Sequence, residues 1–96
     1  MITYKVVTKG RKSFLDDTVY NDGLFYTESE IDCSNELHGK GLVVGNLDWA
    51  KKRAKEWDGI ILEVEIPEEN NVIVYPEDGR GKFRVKRLKI VGLVNP

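Results

Sequence analysis

The chain has 96 residues, 41% apolar and 32% charged, which is enough for one modest core spanning 1–96 and too little for two domains. No run approaches the ~20 apolar residues of a membrane span, and a start that turns polar at its third position predicts no signal peptide, so a soluble, cytoplasmic protein is expected. A single cysteine, Cys33, leaves no internal disulfide, and a net charge of −1 is wrong for a strongly basic nucleic-acid binder.

Residues 2–8 alternate Ile2, Tyr4 and Val6 with Thr3, Lys5 and Val7 and are rich in β-branched side chains, which predicts a strand with a mixed outer face, ended by Gly10. Residues 11–18 have loop composition around Phe14-Leu15, an apolar pair that folds down as a plug or a single turn. Tyr20-Asn21-Asp22-Gly23 is a turn signal, and 24–31 then read as a short strand. Residues 32–41 form a polar loop with two glycines, and 41–44 a brief buried strand.

The one long helix comes next. Asn46 is placed to cap it, Asp48 sets a negative charge at the positive end of the helix dipole, and Leu47, Ala50, Ala54 and Trp57 recur on one face. Trp57 is the expected buried anchor and Gly59 the expected left-handed stop. Residues 60–66 direct Ile60, Leu62, Val64 and Ile66 inward and Glu63 and Glu65 outward until Pro67 ends the strand. A short strand at 72–75 leads to the turn-forming run PEDGRG. Residues 83–94 read as a long strand whose phase changes, with Phe83 and Val85 on one parity and Leu88 and Ile90 on the other. A bulge or sharp twist is therefore expected near Lys86-Arg87. The sum is an α+β domain with a curved, mostly antiparallel sheet of five to seven strands and one principal helix.

Charge is distributed in blocks. Residues 1–12 hold Lys5, Lys9, Arg11 and Lys12 and no acid, whereas 13–39 are purely acidic. Residues 59–79 are again acidic and 80–96 basic. Acidic and basic strands lying side by side explain the blocks, since opposite charges across a ladder contribute roughly 0.2–1 kcal/mol each. A bipolar surface with a basic face for an anionic ligand is the functional alternative.

Few groups suggest chemistry. Cys33 and His38 share the polar loop, but a structural zinc site needs four ligands and a nucleophile needs a base held against it, so a half-buried cysteine beside a surface histidine is the simpler reading. The carboxylate pairs Asp16-Asp17 and Glu68-Glu69 point to opposite sides on extended chain and read as solvated turn acids. Gly39-Lys40-Gly41 and Gly79-Arg80-Gly81 set glycines beside a base without the spacing of a phosphate loop. The basic run at 82–89 interleaves Phe83 with cations as single-stranded nucleic-acid grooves do, but aromatic content is low there and the pI is about 5.8, so nucleic acid is not the expected partner.

The order of elements from Leu42-Val43-Val44 through the helix into Ile61-Leu62-Glu63-Val64-Glu65, and out through Arg84-Val85 to Leu93-Val94, resembles the C-terminal half of compact ADP-ribosyltransferase-like domains. The rifampin ADP-ribosyltransferases are nearest in size. It is also similar to uncharacterised small domains of phages and bacteria in which a Cys-containing loop and a Gly-Leu-x-Val segment precede an Ala-rich helix, matched by Cys33, Gly41-Leu42-Val43-Val44, Ala50 and Ala54.

The resemblance implies a His-Gly-Thr or Arg-Gly group at the end of the first strand to hold a nicotinamide dinucleotide. That position reads Val7-Thr8-Lys9, so only Thr8 carries over. The Tyr-x-Thr element before the helix reads Leu42-Val43-Val44, and no acid matches the catalytic one. The resemblance therefore implies a shared fold without the site. The expectation is a non-enzymatic binding module, in the host cytoplasm if phage-encoded, for a protein partner or a small anionic, nucleotide-like ligand. No catalytic residue, metal or cofactor is expected. The ligand-binding residues are Thr8, Lys9, Arg11, Lys12, Ser13, His38 and Lys40, gathered near the positive start of the helix. Two alternatives stay open: a diverged dinucleotide-consuming enzyme using His38 with Lys9 or Arg11, and a structural subunit that pairs through the edge of its C-terminal strand.

Overall fold

The computed structural model describes residues 1–28, 41–75 and 81–94. Among them lie β1 (Ile2–Val7), β2 (Phe25–Thr27), β3 (Leu42–Gly45), α1 (Leu47–Trp57), β4 (Ile60–Glu65), β5 (Ile73–Val74), β6 (Lys82–Val85) and β7 (Arg87–Leu93). The strands form one seven-stranded sheet in the order β2-β7-β4-β1-β3-β6-β5, with every neighbour antiparallel and the ladder not closed. Together with the single helix, this is an α+β composition.

Strands β3 and β4 both run antiparallel to β1, so they are parallel to each other, and a parallel pair needs a crossover. Helix α1 is that crossover, carrying the chain over β1. Asn46 caps it as expected, its side-chain oxygen accepting from Trp49 N at 2.8 Å. The expected face is buried, with Ala54 and Trp57 packed beside Ala50, but the anchor is a different residue. Trp49 and Ala50 are buried, whereas Trp57 is only half-buried. The reason lies just before the helix: Gly45 has no side chain, and the Trp49 indole lies so close that an added Cβ would fall 2.4 Å from its Cε3. The first turn is thereby pressed onto the sheet. At the other end Asp58, not Gly59, takes the left-handed conformation, with φ 52°. Gly59 is needed for space, because a Cβ there would sit 2.5 Å from the carbonyl oxygen of Val7.

Strand β1 corrects a second expectation. Its Thr3, Lys5 and Val7 are all buried, and Val7 belongs to the main core with Leu42, Val44, Leu62, Val64, Ile66, Phe83, Val85, Leu88 and Ile90. Val6, on the other parity, packs with Trp49 and Ala50 under the helix. Both faces of β1 are therefore covered towards its C-terminal end, while Ile2 at its start stays exposed. Strand β4 keeps the expected parity, with Leu62, Val64 and Ile66 fully buried and Glu65 exposed opposite Lys89 of β7, an acidic strand beside a basic one.

The expected phase change in the C-terminal strand is a break at Lys86, which separates β6 from β7 and lets Phe83, Val85, Leu88 and Ile90 enter the same core. The two strands lie on opposite flanks of the sheet although one residue joins them. Both sheet edges reach that residue: Lys86 N donates to Val72 O at 3.0 Å, and Glu28 N donates to Lys86 O at 2.8 Å. Asn71 pins the bend, its amide donating to Pro67 O and Arg87 O at 2.6 and 2.8 Å and its oxygen accepting from Arg87 N at 2.9 Å. Of the expected strand at 24–31, Phe25–Thr27 is strand and 29–31 lie outside the described residues, while the expected strand at 72–75 is shorter, at Ile73–Val74. No helix among the described residues is long and apolar enough to cross a membrane.

Candidate functional site

Where β1 and β3 meet, the ladder stops after a single pair, Tyr4 opposite Gly45. Near the join the Thr3 hydroxyl donates to Gly45 O. Beyond it the strands part, and the Lys5 side chain spans the opening, its Nζ donating to Val43 O at 2.9 Å. A cavity of about 730 Å³ lies at this opening and takes its lining from both faces of the sheet. Lys5, Leu42 and Tyr20 contribute from the core side, and Val6, Val43, Trp49 and Trp57 from the helix side. Ser13, Phe14, Leu15 and Asp16 form one rim, and Glu28 and Gly41 another.

The rim is held by local chemistry. The chain turns back after β1 through Thr8 and Arg11, with Arg11 N donating to Thr8 O and Thr8 N to Lys12 O, both at 2.8 Å. Lys12 then bridges to Val19. This small hairpin presents Phe14 to Trp57, with ring centroids 5.1 Å apart, so the apolar pair at 14–15 is a plug against the helix end that stays partly exposed. Asp16 accepts from Thr18 N at 2.8 Å, and that bond is the chief reason its carboxyl lies below the usual range.

The electrostatics centre on Lys5. Burial takes its ammonium out of water and lowers its pKa to about 8, while the Asp16 and Glu28 carboxylates act in the opposite direction. The amine also stands 5.1 Å from the centre of the Tyr20 ring, a cation–π distance. Burial raises the Tyr20 phenol, so it stays protonated. The wall is thus aromatic and aliphatic, with one lysine set against two carboxylates.

Of the residues expected to bind a ligand, Ser13 lines this cavity. Thr8, Lys9, Arg11 and Lys12 form the turn behind it, and they meet the helix at its C-terminal end, where Lys9 pairs with Asp58 at 3.0 Å. Arg11 pairs with Asp22 and donates through Nε to Tyr20 O at 2.9 Å. His38 and Lys40 lie outside the described residues, as does Cys33. Among the described residues no group of His, Cys, Asp and Glu is placed to hold a metal.

Sequence reasoning missed Lys5, Tyr20, Glu28 and Trp49. Lys5 carried a signal, a lone cation in a β-branched strand on the same parity as Val7; the others carried none beyond their residue type. Comparison with protein-family models, with curated proteins and with solved structures finds no match.

Proposed function

We propose that this chain is a non-enzymatic binding module whose ligand is a small, uncharged, ring-bearing molecule held in the cavity between β1 and β3. The observation that carries the reading is the interrupted β1–β3 ladder, which opens about 730 Å³ between two aromatic walls in an otherwise packed sheet. Trp49, Trp57, Phe14 and Tyr20 line it with aromatic rings, and Lys5, Ser13, Asp16 and Glu28 supply the few polar groups that orient a ligand. Two carboxylates against one lysine disfavour an anion. The basic turn offers an anion less than its charge suggests, because Lys9 and Arg11 already face Asp58 and Asp22.

The chain's two tryptophans both line the cavity, so their indole N–H resonances report its occupancy. Titration with benzyl alcohol should shift both resonances together and saturably, and benzoate should shift them less at equal concentration. Indole resonances indifferent to either compound would end this reading.

A further inference from the structure

Lys5 is a cation at a buried strand position, with Thr3 and Val7 as its buried neighbours of the same parity. We propose that the ligand of this cavity carries an aldehyde or ketone, which Lys5 captures as a Schiff base; the proposal rests on the cavity being the ligand site.

Three observations carry it. The amine forms part of the cavity wall and is fixed there, with one hydrogen given to Val43 O at 2.9 Å. Burial lowers the Lys5 pKa to about 8, which leaves roughly two orders of magnitude more free amine at neutral pH than an exposed lysine has. The carboxylates of Asp16 and Glu28 line the same cavity. A neutral carbonyl compound enters without the repulsion an anion meets, and it becomes cationic only on reaction, where those carboxylates stabilise it.

The bonds balance without an oxidant or reductant. The Lys5 nitrogen lone pair forms a bond to the carbonyl carbon as the C=O π pair moves to oxygen, and a proton passes from nitrogen to that oxygen to give a carbinolamine. The oxygen then takes a second proton and leaves as water while the nitrogen lone pair closes the C=N bond. The product is the protonated imine. The protons exchange with solvent, and the Asp16 and Glu28 carboxylates in the same lining favour the cationic product.

The test uses the intact chain with benzaldehyde and cyanoborohydride at pH 7, read by peptide mass mapping, beside the benzyl alcohol titration. Lys5 should gain the benzyl group at least about tenfold faster than any other lysine, because among the described lysines it alone lines the cavity. Lys5→Arg should abolish the fast adduct. Labelling spread evenly over the surface lysines overturns the proposal, and since this is read on the unmutated chain it does not depend on the variant folding. If benzyl alcohol shifts the indoles but Lys5 is not trapped, carbonyl capture falls and the binding reading stands. If neither occurs, both fall.

Discussion

The ammonium of Lys5 donates to the carbonyl oxygen of Val43 across the opening between β1 and β3, so a side chain makes the contact where the ladder has stopped. Its pH dependence has a definite sign. Below pH 8 both folded and unfolded chains hold the proton, and the burial cost is fully present. Between about 8 and the ordinary 10.5 only the unfolded chain keeps it, so stability rises with pH, by roughly 3 kcal/mol across the window. Tyr20 acts the other way, because its raised phenol keeps its proton where the unfolded chain ionises, so stability falls above about pH 10. Urea midpoints measured from pH 7 to 11 should climb and then turn over, and Lys5→Met should remove the climb.

Trp49 and Trp57 should separate cleanly. Trp49 is buried on Gly45, and Trp49→Ala should cost about 3–5 kcal/mol. Trp57 is half-buried between Phe14 and Arg53, so Trp57→Ala should cost no more than about half as much while weakening benzyl alcohol binding. Denaturant melts of the two variants check the order; equal losses would contradict it.

Gly45→Ala tests the close approach that seats the helix. Its Cβ would meet the Trp49 ring at 2.4 Å and the Gly81 carbonyl oxygen at 2.8 Å, so the indole or the backbone must move. A loss of about 1–3 kcal/mol with a displaced Trp49 indole resonance is expected.

Asn71→Ala should leave the backbone N–H and C=O of Arg87 without their side-chain partner, at about 1–3 kcal/mol for a partly buried site. Asn71→Asp keeps the acceptor for Arg87 N but loses both donated bonds, so thermal melts should place it between the parent and the alanine variant.

Much of this fold can be read along the chain where one face of an element meets water. The inward set of β4, the Asn46 cap and the break at Lys86 all derive from periodicity or residue type. Strand β1 does not, because towards its C-terminal end it is covered on both faces, which gives parity no inside and outside to distinguish, and parity alone puts Lys5 in solvent. Trp49 lies off the helical stripe around Ala50, and what buries it is an empty space at Gly45 that only the fold reveals. The cavity is less legible still. Asp16 and Glu28 reach Lys5 only because β2 runs along β7 and the turn after β1 folds over the helix end.

The single-residue joint at Lys86 has a consequence for how the chain folds. Strands β6 and β7 are consecutive, yet one pairs with β3 and the other with β4, so neither half of the sheet has a complete set of partners until the last strands arrive. Folding is then governed by distant pairings, which close large loops before any reward is gained and so proceed slowly. A nascent chain that ends before residue 82 lacks Phe83, Val85, Leu88 and Ile90 of the core and the strands that pair with β3 and with the far side of β4.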